Sequence, residues 1–580
     1  MPYPFGAVAL DYDGTLTSTG VPAEDTIAAL VETRAAGRCV VLVTGRILSE
    51  LTAVFPAVTQ YVDAIVAENG AVLWTPPTGA RPLAAPVSAA LETVLRRDGV
   101  PLRRGLALLA TSAEYDLVVE RHIGRLGLEE QVVRNRGELM ILPPGVTKGS
   151  GLRHALAELG RSVHDAIGIG DAENDHSLLE ACELGVAVAD AVPSLRAHAD
   201  LVLPEPDGAG VTGFLRGPVL SGAMRPPPHH WRVRLGAYAD GAPATVPASR
   251  INLLVAGGSG SGKSCLMGLL AERLSDLGYS LLILDPEGDH AGLAERHGFL
   301  RLGGSRAPPT ADELSAVLAH KFGSVVVDLS QRPIEERGVY GAYLVGALEA
   351  MRAQRGLPHW LLVDEAHQLL QHATADLAAT AAALRGLCLV TYHPAELPAA
   401  VLGAMDRIIA LAGTPDLVPL VLQALGRGPS APPRGDAAIS AVRQAPDPAT
   451  SPPRSALLID HDFARPFTMD LRATPHARHR RKYLEGQVPW PERFFFRNGG
   501  PASVSAGNLA EFQRALSGVD EDQLRGYVER GDFSRWVGEV LDDAALAAEL
   551  SAIERVARES SDSLAAAREA LASAIQERLP

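Results

Sequence analysis

Two successive parallel-sheet α/β domains followed by a mostly helical C-terminal domain are the fold class this sequence predicts, on three observations. Short apolar runs alternate with amphipathic, alanine-rich stretches over residues 1–215 and again over 250–428, the strand-then-helix rhythm of a parallel sheet covered by helices. A proline-, alanine- and serine-rich stretch without periodic apolar residues, 429–455, reads as a linker. Beyond it, residues 456–580 turn mostly helical, and 541–579 carry apolar residues at helical spacing with charges between them. A chain of 580 residues, roughly four times a domain of ~150 residues, has room for several cores.

Composition narrows the function classes. Acidic residues outnumber basic ones, 68 to 53, for a net charge of −15, which argues against a generally basic, nucleic-acid-coating surface and leaves local patches open. Apolar residues make up 47% of the chain, enough for sizeable cores. Cys39, Cys182, Cys265 and Cys388 lie far apart, in neither a CxxC pair nor a metal-ligand spacing. Reduced thiols and a cytoplasmic location are expected. The opening MPYPFGAVALDYDG has no basic segment leading into an apolar one. The apolar runs are strand-length, far below the ~18 residues of a membrane span, so no membrane partner is expected.

In the first domain AVAL at 7–10 reads as a strand, AEDTIAALVETRAAG as a helix and CVVLV as the next strand; AIGIGDAENDHSLLEAC repeats the pattern. A mixed insert at about 75–144, ending in the strand-like GELMILP, reads as a small α+β cap. Asp11 and Asp13 stand at i and i+2 at the C-terminal end of the first strand, where α/β sheets bind ligands. An ionised aspartate can attack a phosphoryl group, and Mg²⁺ is then needed because both reactants are anionic. A second aspartate can serve as acid and base. Thr44 and the backbone after it can contact phosphate oxygens, Lys148 supplies a cation, and Asp171 a second metal carboxylate. A lone DxD is better read as a capped strand-end turn, but the further motifs in order outweigh that alternative.

DYDGT, TGR, TKG and GDAEND, in that order, resemble the four motifs of the haloacid dehalogenase-like phosphatase superfamily. Glu68-Asn69-Gly70-Ala71, the cap after it and VAVADAVPSLRAHADLVLPEPDGAGV are similar to the Cof-like class with a C2-type cap. The resemblance implies a Rossmannoid phosphatase in which Asp11 is nucleophile and Mg²⁺ ligand. It implies that Asp13 is general acid and base and lends its backbone carbonyl to the metal. Asp171 completes the metal site, supported by Asp175 and Asn174, while Thr44 and Lys148 hold the transferring group. The cap is short for this class, as in the smaller-capped phosphoglycolate or sugar-phosphate phosphatases.

Residues 216–249 are broken by RPPPHH and GAYADGAPATVP, which stop helices and leave strands on edges, so they read as a junction. After the strand INLLVA, Gly257 to Ser264 fits GxxxxGK[ST] and opens a helical stretch, the context that this phosphate-binding loop requires. Gly257, Gly260 and Gly262 let backbone N–H groups converge on phosphates, Lys263 reaches the terminal phosphates, Ser264 offers a hydroxyl to Mg²⁺, and Cys265 follows it into the helix. Asp364 and Glu365 end the strand HWLLV; there the first carboxylate orients Mg²⁺ and the second polarises water, which implies ATP hydrolysis as well as binding. LLILDPEGDH, VVVDLS, HWLLVDEAH and LVTYHP together resemble the HerA/FtsK-like branch of P-loop ATPases, whose members pump DNA or other polymers as hexamers. Tyr392 stands where that family's glutamine sensor is common, and the long inserts and N-terminal barrel of the translocases are missing.

The run His476-Ala477-Arg478-His479-Arg480-Arg481-Lys482 is a dense basic cluster, equally a polyanion grip or a solvated face. Phe494, Phe495, Phe496, Phe533 and Trp536 read as core. The expectation is a bifunctional protein: a Mg²⁺-dependent phosphatase for a small phosphorylated metabolite, fused to a regulatory or remodelling ATPase, with oligomers compatible. The alternative is a nucleic-acid translocase or defence-type ATPase with an accessory phosphatase; nucleic acid is not favoured as a partner.

Overall fold

The computed structural model describes residues 5–135, 137–224, 226, 230–258, 261–295, 298–320, 323–370, 375–412, 414, 420, 424, 454–460, 462–474, 488, 490, 493–496, 504–541, 544–559 and 564–576. The basic run 476–482, most of the proline-rich linker and Gly260 lie outside them. The chain forms two compact units, one of Met1–Leu284, Gly298–Val327 and Gln331–Arg472, the other of Asp285–His297, Asp328–Ser330 and Ala473–Pro580.

The first unit holds both α/β sheets. In the N-terminal sheet β1 (Ala7–Asp11), β2 (Cys39–Val43), β3 (Ala64–Ala67), β4 (Val72–Thr75), β5 (Gly79–Pro82), β10 (Ala166–Gly170), β11 (Leu184–Ala187) and β12 (Leu201–Val202) run in the order β12-β11-β10-β1-β2-β3-β4-β5. β1, β2, β3, β10, β11 and β12 are parallel. Their near-continuous apolar sequences are buried, as strands covered on both faces must be. The parallel registry aligns Asp11 with Val43 and Leu10 with Ile169, so the C-terminal ends of three neighbouring strands open on one edge.

The cap is an antiparallel sheet of β6 (Arg103–Arg104), β7 (Leu109–Ser112), β8 (Gln131–Asn135) and β9 (Glu138–Leu142), in the order β6-β7-β9-β8. Helices Ala89–Arg97 and Asp116–Leu126 bury Leu91, Leu95 and Val119 against it. Residues 75–82, assigned to the cap from sequence, instead form the end of β4 and β5, a hairpin that extends the main sheet.

The second sheet has eleven strands among the described residues: β13 (Arg232–Tyr238), β14 (Pro243–Pro247), β15 (Asn252–Ala256), β16 (Leu281–Asp285), β17 (Phe299–Gly303), β18 (Ser324–Asp328), β19 (Trp360–Val363), β20 (Leu387–Thr391), β21 (Arg407–Ala410), β22 (Ser455–Ile459) and β23 (Ala464–Met469). Their order is β14-β13-β23-β22-β21-β15-β20-β19-β16-β18-β17. β21, β15, β20 and β19 are parallel neighbours, and β13, β14, β22 and β23 add an antiparallel wing. Two sequence boundaries shift as a result. The junction 216–249 contributes β13 and β14 to this sheet, and 455–469, expected beside the C-terminal helices, pairs with it. Proline in β14 is tolerated because β14 is the edge strand.

In the second unit β24 (Phe494–Phe496) and β25 (Val504–Ala506) form a hairpin beside helices Leu509–Leu516, Glu521–Arg530, Asp532–Glu539, Ala544–Glu559 and Leu564–Gln576. Phe494, Phe496, Phe512, Phe533 and Trp536 form its core; Phe512 stacks on Trp536 at 5.0 Å. Phe495 alone of the five expected core aromatics is partly exposed, since adjacent residues of a strand face opposite ways.

Candidate functional site

Asp11, at the end of β1, lies beside Asp171, just past β10, and Asp175, at the head of the following helix. One carboxylate oxygen from each lies within 4.8 Å of the others, and all three residues are buried. Lys148, first residue of helix Lys148–Glu158 and 1% exposed, donates to Asp11 Oδ1 at 2.5 Å and Asp175 Oδ1 at 2.6 Å. Thr15 Oγ1 donates to Asp171 Oδ1 at 3.0 Å, while the backbone N–H groups of Asp171 and Ala172 fix Asp175 Oδ2, each at 3.0 Å. Gly170 is required here: a Cβ would sit 2.5 Å from Asp175 Cβ.

Three carboxylates face one ammonium, so the cluster carries excess buried negative charge. Burial first, then repulsion from Asp175, raises the Asp11 carboxyl well above its usual range against the pull of Lys148. Burial opposes the charge on Lys148, but Asp11 and Asp175 outweigh it and hold the ammonium above the ordinary lysine range. The oxygen-only donor set fits a hard divalent cation such as Mg²⁺.

The second aspartate behaves differently. Asp13 is gripped by Arg46, whose Nε and Nη2 donate to Oδ2 and Oδ1 at 2.8 and 2.6 Å. Its side chain therefore stands outside the carboxylate cluster and faces the cleft. The Arg46 guanidinium also lies 5.2 Å over the Tyr12 ring, and burial pushes that phenol up to about 12. Thr44 is buried at the end of β2, its Oγ1 accepting the Arg46 N–H at 3.1 Å.

Asp11, Asp13, Arg46 and Lys148 share a cleft of about 370 Å³ with Glu50 of the core and Arg103, Asn135, Glu138 and Met140 of the cap. Arg103 bridges cap and core through Glu50, at 2.9 Å, and also pairs with Glu138. Glu68 is a second anchor: its carboxylate accepts the N–H groups of Leu106, Ala107 and Leu108 at 2.8, 2.8 and 3.0 Å. Glu68 and Asn69 both adopt left-handed backbone, φ 54° and 55°. Asn69 Oδ1 accepts from Asn174 Nδ2 at 3.1 Å, which ties this turn to the acidic loop. Sequence reasoning missed Glu68, Glu50 and Arg103 as site residues and took Arg46 only for its backbone; the signal available for Glu68 was the Glu68-Asn69-Gly70 segment directly after β3.

The nucleotide loop sits between β15 and helix Lys263–Asp276. Gly262 has φ 97°, and at Gly257 a Cβ would meet Ser261 Oγ at 2.5 Å and Leu411 Cβ at 2.8 Å, so both glycines are sterically demanded. Lys263 Nζ donates to Gly258 O at 2.9 Å and lies 5.7 Å over the Tyr392 ring. Ser264 is buried at the helix start, and Cys265 is exposed. Asp364 follows β19, and its Oδ1 accepts the Glu365 N–H at 3.0 Å; Glu365 itself has φ 44°. His367 Nδ1 lies 3.6 Å from Glu365 Oε2 and 3.2 Å from Thr391 Oγ1 at the end of β20. The glycine-rich loop, lysine, serine hydroxyl and paired carboxylates thus stand on the strand ends of one sheet.

The N-terminal domain is thus a capped α/β domain with a buried carboxylate–lysine cluster, and the second sheet carries a glycine-rich loop leading into Lys263 and Ser264. A family model described as haloacid dehalogenase-like hydrolase matches residues 8–83 and 111–215, and one described as the central domain of helicase HerA matches 243–333. A phosphoglycolate phosphatase of Methanothermobacter thermautotrophicus is 30% identical over 218 residues, 36% of this chain and 97% of that protein. Through this N-terminal domain the chain belongs to the haloacid dehalogenase-like hydrolase family, and it also carries a segment that matches the HerA central-domain model. A phosphoglycolate phosphatase of Sulfurisphaera tokodaii is 31% identical over 125 residues, 22% of this chain; the chain spans about half, 54%, of that relative. A solved haloacid dehalogenase-like hydrolase of Bacteroides thetaiotaomicron aligns with 36% of this chain and 98% of its own, at 19% identity and a TM-score of 0.33. Among the described residues no helix is long and apolar enough to cross a membrane.

Proposed function

We propose that the first domain is a Mg²⁺-dependent phosphomonoester phosphatase working through an aspartyl-phosphate, and that the second binds and hydrolyses ATP to regulate or remodel. The convergence of Asp11, Asp171, Asp175 and Lys148 carries the reading. Asp11, Asp171, Asp175 and the Asp13 carbonyl would hold Mg²⁺, which when bound neutralises charge on nucleophile and phosphate. Asp11 attacks phosphorus as the P–O bond to the leaving group breaks, and the leaving oxygen takes a proton from Asp13. Asp13 then accepts a proton from the water that attacks the acyl-phosphate, releasing phosphate and free Asp11. Lys148 and Thr44 hold the transferring group. Asp13 must leave Arg46 for each proton transfer, so Arg46 sets when the acid is available.

The cap excludes water and selects the substrate. Relatives named as phosphoglycolate phosphatases support a small phosphorylated metabolite, and the cleft's Arg46 and Arg103 suit a second anionic group. In the second domain Lys263 and Ser264 would hold the phosphates and Mg²⁺ of ATP, with Asp364 as metal carboxylate and Glu365 orienting water. The competing reading, favoured by the match to the helicase HerA central domain, is a nucleic-acid translocase with an accessory phosphatase. It predicts rings and DNA-stimulated ATP turnover; a DNA-indifferent monomer removes it. The main test is Asp11→Asn, which should abolish hydrolysis of a generic phosphate ester and leave ATP turnover intact; unchanged phosphatase turnover would refute the assignment.

A further inference from the structure

The phosphatase and P-loop domains meet at a buried polar seam that neither active site uses. Glu183 accepts from Tyr279 Oη at 2.7 Å and from Ser249, and faces His164 Nδ1 at 3.0 Å. Tyr279 stacks on His164 with centroids 3.7 Å apart, and Trp360 Nε1 donates to Ala248 O at 2.7 Å. Beside this seam lies a cavity of about 80 Å³, walled by Phe5 and Val219 on one side and by Ala383 and Leu384 on the other.

Two donors on its wall are unsatisfied. Arg250 Nε and His359 Nε2 are buried with no hydrogen-bond partner. No other hydrogen bond and no ion pair is formed by Arg250 among the described residues; its guanidinium lies 3.6 Å over the Phe5 ring, on a left-handed backbone with φ 58°. His359 Nδ1 accepts the Ser280 N–H at 2.8 Å, so the neutral ring carries its proton on Nε2. Burial, with cations nearby, keeps that ring neutral. The one carboxylate on the wall, Glu349, makes no ion pair with Arg250. A buried guanidinium N–H and a buried imidazole N–H without acceptors are costly, and apolar walls around them leave room for the missing acceptor.

We propose that this cavity binds a small aliphatic monocarboxylate, its carboxylate accepting from Arg250 and His359 and its carbons against Phe5, Val219 and Leu384. Of the three guanidiniums on the wall, Arg352 and Arg385 donate to backbone carbonyls while Arg250 keeps an unmet N–H, so a single carboxylate matches the open donors. The volume, about half of the ~150 Å³ that takes a benzene ring, limits the ligand to a few carbons. Because both domains supply the walls, the site is distinct from the two catalytic clefts and does not depend on their assignment.

Saturation-transfer NMR on the full chain with isobutyrate tests this, with isobutyramide as the uncharged control. Wild type should give a saturable isobutyrate signal and none for the amide. Arg250→Met should weaken binding at least about tenfold, the worth of one charge-assisted contact, with phosphatase turnover unchanged. Leu384→Phe, which fills the cavity and leaves Arg250 in place, should abolish it. Absent saturation in wild type, equal binding of the amide, or binding indifferent to both substitutions would overturn the proposal.

Discussion

Lys148→Met removes the ammonium from a cluster in which it touches Asp11 at 2.5 Å and Asp175 at 2.6 Å while 1% exposed. Breaking a buried pair by deleting one partner costs about 3–5 kcal/mol, because the remaining charge is stranded. Here three carboxylates are stranded together, but Asp11, already raised by burial and by Asp175, can relieve the strain by taking a proton. Each unit by which its folded value rises further costs about 1.36 kcal/mol at pH above that value. The sign is fixed: a carboxyl raised in the folded state favours folding below its unfolded pKa and loses that contribution as pH rises through the folded value. The variant in EDTA should therefore lose about 3–5 kcal/mol at pH 8 and clearly less at pH 5. Mg²⁺ at a hundredfold excess over its Kd should return about 2.7 kcal/mol. Urea unfolding of the N-terminal transition at both pH values, with and without Mg²⁺, measures each figure. A loss below about 1 kcal/mol at pH 8, or one independent of pH, would refute the charge-coupled cluster.

Glu68→Ala removes the acceptor for three cap N–H groups; KM for a small phosphate ester should rise with the fold retained, and stability should fall by about 1.5–3 kcal/mol. Gly262→Ala forces a Cβ onto φ 97° in the nucleotide loop; calorimetry should find ATP affinity reduced at least about tenfold, with phosphatase turnover unchanged. His359 has its pKa pushed well below the usual histidine range by burial, then by His164, Arg352 and Arg250. A depressed value contributes stability above the unfolded pKa that is lost as pH falls. His359→Gln should thus flatten the acid limb of thermal unfolding below about pH 6.5; an unchanged limb would show that the histidine is not held neutral.

The carboxylate cluster was legible because each member follows a strand on a recognisable motif, and parallel strands must open their C-terminal ends on one edge. Asp11, Lys148, Asp171 and Asp175 lie together, Asp175 having entered the reading only through the family resemblance. Asp13 was legible as a residue of the site but not its partner: that Arg46 side chain holds it depends on tertiary position alone. Glu68 was hidden for a different reason, since the N–H groups that donate to it lie about forty residues on, in the cap. β13 and β14 escaped because prolines in β14 argued for a linker, and the place of β22 and β23 in the second sheet escaped because the pairing of β13 with β23, over two hundred residues apart, leaves no local signature. The aromatic core of the second unit followed from composition, and period-two alternation explains why Phe495 turns out of it.

Phosphate release by the full chain carrying Asp11→Asn, alongside Lys263→Ala, in Mg²⁺ with a generic phosphate ester and separately with ATP, tests the central claim most directly. The account predicts that Asp11→Asn is silent on the ester and normal on ATP, and that Lys263→Ala is the reverse. Ester turnover that survives Asp11→Asn, or disappears with Lys263→Ala instead, would contradict it.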